Sequence, residues 1–197
     1  MSLVALVSGG LDSTLMTVLA VESGLVVYPL FVDYGQRSGS KELSACWTTF
    51  KKMGLPKPEV VDLSALGRLI PCGLTNDEFD INIDAFLPGR NMYFLLLGAS
   101  YAYRMNANSV AIGLLDEKNS IFPDQTKSFI YDMEETIARA LGKRIIISTP
   151  LMAFSKQDVV ALARKKGISG TYSCHAGTEK PCGVCIACRE YENLEVI

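Results

Sequence analysis

Cys174, Cys182, Cys185 and Cys188 stand in the pattern C-x7-C-x2-C-x2-C near the end of the 197-residue chain. Four thiolates this close can surround one tetrahedral metal ion, and Zn²⁺ is the usual occupant of an all-sulfur site. Four sulfurs leave no coordination position open, which favours a structural over a catalytic metal. His175, the single histidine, is read as a loop residue because the sulfurs already suffice. At the other end, Ser8-Gly9-Gly10-Leu11-Asp12-Ser13-Thr14 separates two apolar runs. Gly9 and Gly10 let the backbone turn tightly and approach a ligand without a Cβ clash. The amides opening the next helix carry partial positive charge, which suits an anion, and Ser8, Ser13 and Thr14 add hydroxyl donors. Asp12 repels phosphate unless a cation lies between them, so it implies Mg²⁺. No Lys follows the glycines, which excludes the G-x4-G-K-[ST] loop. A phosphate loop at one end and a metal site at the other point to an enzyme that cleaves a nucleotide. The plain alternative is a strand-to-helix turn capped by Ser13.

These residues need a frame. Residues 3–7 form a short apolar run ending in Ser-Gly-Gly, as a buried parallel strand does. A helix is predicted over 13–23, stopped by Gly24, then a strand over 25–32, a helix over 41–53 and a strand over 59–63. Residues 65–86 read as an irregular excursion. A strongly apolar helix over 91–105 is entered through Pro88-Gly89-Arg90. A strand over 109–114, a polar loop to 126, an amphipathic helix over 127–141 and a strand over 144–148 follow. The last helix, 155–166, has Ser155 as its cap and Asp158 at the capping-box position. Strands and helices alternating in this way give an α/β fold: a doubly wound five-stranded parallel sheet covered on both faces. Ligands in such sheets bind at the carboxyl ends of strands, at a topological switch point. Residues 1–170 are expected to form one domain, with 171–197 as a zinc-binding segment packed on it.

Composition narrows the classes. Apolar residues make up 49% and charged residues 20%, as in a globular chain. A formal net charge of −2 argues against a general nucleic-acid surface. The apolar run over 18–32 contains Glu22, Gly24 and Pro29 and is too interrupted for a membrane span. The first residues lack the basic region of a signal peptide. With four of six cysteines crowded together, the thiols read as metal ligands plus two buried residues, Cys46 and Cys72, in a cytoplasmic protein.

The segment Ser8 to Ser13 resembles the SGGxDS signature of the PP-loop ATP pyrophosphatases, whose fold is adenine nucleotide alpha hydrolase-like, that is, Rossmann-like. Asp33-Tyr34-Gly35-Gln36-Arg37, Pro88-Gly89-Arg90-Asn91, Pro123-Asp124, Thr149-Pro150-Leu151, Ser155-Lys156, Ser173-Cys174 and Cys182-Gly183-x-Cys185-x-x-Cys188-Arg189 follow in order. Together they resemble the 7-cyano-7-deazaguanine synthase (QueC) family over nearly the whole chain. That resemblance implies an ATP-dependent carbon–nitrogen ligase of queuosine and archaeosine precursor synthesis. Its substrates would be 7-carboxy-7-deazaguanine and ammonia, joined through adenylated carboxylate and amide intermediates. The 8–14 loop would grip the pyrophosphate portion of ATP, with adenine near Phe31 and Val32. Lys156 and Arg90 join Asp12 as expected catalytic groups, Lys156 as a clamp on phosphate. Gln36 and Arg37 are expected to line the nucleotide pocket. Asn91, Phe122, Asp116 and Asp124 are the expected substrate contacts, Phe122 by stacking and one carboxylate by accepting from the deazaguanine N–H and amino edge. A homodimer is the oligomeric state the relatives imply, without nucleic acid or membrane as partner.

Ser38 stands where the family commonly has His, and Gln125 where it has Cys; both flank the expected substrate pocket and bear on the acceptor rather than on ATP. Two other readings remain: a related PP-loop enzyme that stops at an amide or conjugates another acceptor, and a non-catalytic zinc-stapled nucleotide-binding module. Turnover and its product separate them.

Overall fold

A computed structural model describes residues 1–192 and Leu194. Strands β1 (Ser2–Val7), β2 (Val26–Asp33), β3 (Glu59–Asp62), β4 (Ser109–Ala111) and β5 (Ile146–Ser148) form one sheet in the order β3-β2-β1-β4-β5. All four pairings are parallel, with Val7 opposite Phe31 and Ala5 opposite Ala111. The chain winds outward from β1 in both directions, so the switch point falls between β1 and β4, where the glycine turn leaves β1.

Helices α1 (Leu11–Glu22), α2 (Gly39–Lys52) and α6 (Lys156–Lys165) supply one core with Leu3, Ala5 and Val7 of β1. Helices α4 (Arg90–Arg104) and α5 (Lys127–Leu141) bury the alternate residues Val4 and Leu6 in the other. β1 is therefore apolar on both faces, and all of Leu3 to Val7 is buried. The excursion after β3 contains a short helix, α3 (Ser64–Leu69), and the polar loop after β4 holds two 3-10 turns, Glu117–Asn119 and Pro123–Gln125. These short pieces lack the apolar periodicity that marks longer helices. The capping box at Ser155 and Asp158 forms as expected: Ser155 Oγ accepts from the Asp158 N–H, and Asp158 Oδ2 from the Ser155 N–H.

The C-terminal segment, with α7 (Ile186–Arg189), returns to the start of the fold. The Tyr172 N–H donates to the Gly9 carbonyl at 3.0 Å, and Lys41 of α2 pairs with Glu179. Cys46 and Cys72 are buried free thiols. Among the described residues no helix is long and apolar enough to cross a membrane.

Candidate active site and metal centre

A cleft of about 270 Å³ opens at the carboxyl ends of β1, β2 and β4. Ser8, Gly10, Leu11, Asp12 and Ser13 line one side, and Phe31 and Val32 lie at the end of β2. Helix α1 begins here with Gly10 in an extended conformation at its N-cap. The first N–H groups of any α-helix lack intrahelical partners, so they are free for an anion. The Ser8 N–H donates to Ser13 Oγ at 3.1 Å, and the two serine hydroxyls lie 3.1 Å apart, which fixes both beside the loop.

The two glycines do different work. Gly9 has φ +76°, and a Cβ there would lie 2.2 Å from the Glu42 carbonyl oxygen. Gly9 thus lets α2 pack onto the loop. Gly10 is the glycine that lines the cleft. Thr14 is fully buried and donates to the Gly10 carbonyl at 2.8 Å, bracing the helix rather than facing a ligand.

Opposite the loop, Lys156 donates to both Asp12 carboxylate oxygens at 2.9 Å, and Glu190 Oε2 lies 2.9 Å from the same ammonium. Its Nζ sits 4.7 Å from the Tyr191 ring centroid. Burial alone would lower the Lys156 pKa, but Asp12, Tyr191 and Glu190 outweigh it and raise it, so Lys156 stays charged. Lys156 thus sets a side-chain cation, carried by α6, against the Asp12 carboxylate. Arg90, in the first turn of α4, reaches the cleft and donates to Tyr34 Oη at 3.5 Å. Burial raises the Tyr34 pKa to about 12, against the lowering effect of Arg90.

Gln36 and Asn91 also line the cleft. Gln36 Oε1 accepts from the Tyr34 N–H at 2.9 Å, and Asn91 Nδ2 donates to the Asp124 carbonyl at 2.9 Å. Four expected contacts lie elsewhere. Arg37 turns outward and donates to the Gly73 carbonyl at 3.3 Å, in an open pocket with Arg68. Asp116 accepts from the Lys118 N–H as the cap of a 3-10 turn. Phe122 stacks on Phe86 with ring centroids 5.0 Å apart. Asp124 is buried with one oxygen accepting from the Asn91 N–H at 3.2 Å. In each case a local partner satisfies the group. Gln125, beside Asp124, does line the cleft, and its Oε1 accepts from the Ile121 and Phe122 N–H groups at 3.0 Å.

No role in the cleft was expected for six residues that line it, two of them (Tyr34 and Ser173) inside the quoted motifs: Tyr34, Glu42, Tyr172, Ser173, His175 and Glu190. The last four belong to the C-terminal segment, which closes one side of the cleft. Its shape depends on the cysteines. The Sγ atoms of Cys174, Cys182, Cys185 and Cys188 all lie within 4.8 Å of one another, and Cys182 and Cys188 are 3.9 Å apart. Zn–S bonds of about 2.3 Å in a tetrahedron place sulfurs about 3.8 Å apart. The donor set therefore fits one metal ion. Burial pushes the Cys174 thiol up, but the Cys182 N–H, the Thr178 hydroxyl and the Ala176 N–H bring it down to about 6, which favours the thiolate a metal needs.

Residues 2–193 match the family described as Queuosine biosynthesis protein QueC. The chain belongs to the QueC family. A 7-cyano-7-deazaguanine synthase of Nautilia profundicola is 30% identical over 94% of this chain and 89% of the relative. One from Prochlorococcus marinus is 34% identical, covering 95% of this chain and 90% of its own. A solved 4-thiouridine synthetase–RNA complex with bound ATP shares the fold, with TM-score 0.55 and 17% identity over 98% of this chain and 49% of that one. As a QueC-family chain, this one keeps its sheet, glycine turn and cysteine quartet within the matched span.

Proposed function

We propose that this chain is an ATP-dependent 7-cyano-7-deazaguanine synthase, using 7-carboxy-7-deazaguanine and ammonia to make a queuosine precursor. The observation that carries the proposal is the Asp12–Lys156 pair facing the mouth of the glycine turn, where β1 ends. A carboxylate is a poor electrophile, so one of its oxygens must become a leaving group. A carboxylate oxygen of the acid attacks the α-phosphorus of ATP and pyrophosphate departs. Ammonia then attacks the acyl carbon, and AMP leaves carrying that oxygen. The amide oxygen repeats the attack on a second ATP, and AMP leaves again as the nitrile forms. The protein's part is alignment of the reactants and neutralisation of the departing charge. Gly10, Ser13 and the first amides of α1 seat the pyrophosphate portion, Phe31 and Val32 border the adenine side, and Lys156 and Arg90 supply positive charge. Asp12 is the carboxylate that would hold Mg²⁺, which screens phosphate charge. Zn²⁺ on the four cysteines would be structural, holding residues 171–192 as one wall of the cleft.

ATP–pyrophosphate exchange tests the reading. Exchange that requires 7-carboxy-7-deazaguanine, followed by nitrile on adding ammonium, supports it. Absence of exchange with zinc-replete protein rejects it, and accumulation of amide supports a related enzyme that stops one step earlier.

A further inference from the structure

Glu42 lies in the first turn of α2 and lines the cleft. Its oxygens accept from Ser38 Oγ at 2.7 Å and Gln36 Nε2 at 3.1 Å, both neutral donors. Gln36 is itself fixed, because its Oε1 holds the Tyr34 N–H. The nearby cations are turned to other partners: Lys156 to Asp12 and Glu190, Lys41 to Glu179, Arg90 to Tyr34. Among the described residues Glu42 therefore forms no ion pair. Glu42 is a half-buried carboxylate, fixed by two neutral donors and without a bonded cation, and it faces the cleft where the chemistry is placed.

The reaction proposed above needs a base. Ammonium brings four N–H bonds, and the nitrogen of a nitrile has none. We infer, resting on the synthase reading of this cleft, that Glu42 is the proton acceptor that receives ammonium and releases ammonia onto the acyl adenylate. The carboxylate binds the ammonium ion as a charge-assisted hydrogen-bond acceptor. One N–H bond breaks and its proton moves to Glu42 oxygen, and the electron pair stays on nitrogen. That pair forms the C–N bond at the acyl carbon, and the C–O bond to AMP breaks with its electrons leaving on AMP. Glu42, now a carboxylic acid, returns the proton to water and, as a carboxylate again, accepts the second proton that the new C–NH₃⁺ group loses to become the amide. Burial raises the Glu42 pKa above its ordinary value, while the bonds from Ser38 and Gln36 and the charge of Arg90 hold it down. A stronger base than an exposed carboxylate suits this transfer. The groups facing Glu42 are Arg90 from α4, Asp33 at the end of β2, Tyr34 in the loop that follows, Cys46 on α2 itself and Tyr172 from the C-terminal segment.

Glu42→Gln tests this in the intact zinc-loaded protein. ATP–pyrophosphate exchange with the acid should stay within about twofold of wild type, which reports a folded, adenylating enzyme. Amide formation from ammonium chloride at pH 7 should fall by roughly a hundredfold or more. Hydroxylamine, largely unprotonated at that pH, should still trap the acyl adenylate as hydroxamate at close to the wild-type rate. Ser38→Ala removes a donor to the carboxylate, so the acidic limb of the ammonium-dependent profile should move to higher pH. Unchanged ammonium use by E42Q overturns the inference, as does an unmoved limb in S38A. Parallel loss of exchange and hydroxamate also overturns it, by assigning Glu42 to holding the acid. Wild-type protein without exchange would instead reject the synthase reading itself.

Discussion

Gly9→Ala and Gly10→Ala should fail in different ways although the residues are adjacent. Gly9 holds φ +76°, a left-handed conformation that costs an L-residue about 1–2 kcal/mol. Its new Cβ would also stand 2.2 Å from the Glu42 carbonyl oxygen, 3.0 Å from the Cys46 nitrogen and 3.1 Å from the Glu42 carbonyl carbon. All three are backbone atoms of α2, so no rotamer change relieves the contact, and α2 must shift. Overpacking of this kind adds about 1–3 kcal/mol. The sum is about 2–5 kcal/mol, and a chain of this length loses about 2–4 °C of Tm per kcal/mol. At Gly10 φ is −79°, and the closest atom to a new Cβ is the flexible Ser8 Oγ at 3.3 Å. Alanine there should cost about 1 kcal/mol, as a poor N-cap residue, while narrowing the loop that faces phosphate. Urea unfolding with an unchanged slope, beside equilibrium ATP binding, separates the two. G9A should lose stability first, and G10A should lose ATP affinity while remaining folded. A G9A protein within about 0.5 kcal/mol of wild type would refute the packing argument.

Lys156→Met should lower acid-dependent exchange by roughly 10²–10³-fold, in the range of losing one transition-state donor. A loss below about tenfold, measured by isotope exchange, would remove Lys156 from the phosphate clamp. The raised Lys156 pKa makes its contribution to stability complete below its ordinary value of 10.5 and lost only as pH rises above it, so Tm profiles of wild type and K156M should run parallel from pH 6 to 9. Glu42 has the opposite consequence near neutrality. Its folded pKa is raised above 4.5, so the stability linked to it is fully present below that pH and lost as pH rises through the raised value. E42Q should therefore gain in Tm relative to wild type as pH rises above 4.5, and a difference that stays flat would contradict the raised Glu42 pKa. Cys185 is fully buried, and Cys185→Ser should abolish metal binding, measured by elemental analysis against one zinc per wild-type chain, and lower ATP affinity by loosening the cleft wall. Retained zinc would break the four-sulfur account.

The parallel sheet was legible because β1, β2 and β4 are apolar runs bounded by glycine or polar turns, and the longer helices carry clear periods. Helix α3 was not, since six residues are too few to show a period. At the site, Ser8 to Ser13 and the four cysteines stand out as local motifs, whereas Lys156 was expected only through the family resemblance. Glu42 could not: it reads as an ordinary acidic residue in a helix's first turn, and only the packing of α2 on Gly9 turns it into the cleft. Glu190 and Tyr191 likewise reach Lys156 only because the cysteines fold the chain back. The expected substrate carboxylates, Asp116 and Asp124, sit on the predicted loop, yet Asp116 accepts from the Lys118 N–H two residues on and Asp124 from the Asn91 N–H of α4, a contact between distant residues that sequence does not reveal.

The most direct measurement follows oxygen. Protein loaded with zinc is given 7-carboxy-7-deazaguanine labelled with ¹⁸O in its carboxylate, together with ATP, Mg²⁺ and ammonium, and the products are weighed by mass spectrometry. Two successive adenylations predict unlabelled pyrophosphate, a nitrile without oxygen, and two AMP molecules per nitrile, each carrying one ¹⁸O. Unlabelled AMP, or ADP in its place, would show that the acid never attacks the α-phosphorus and would contradict the role assigned to the cleft.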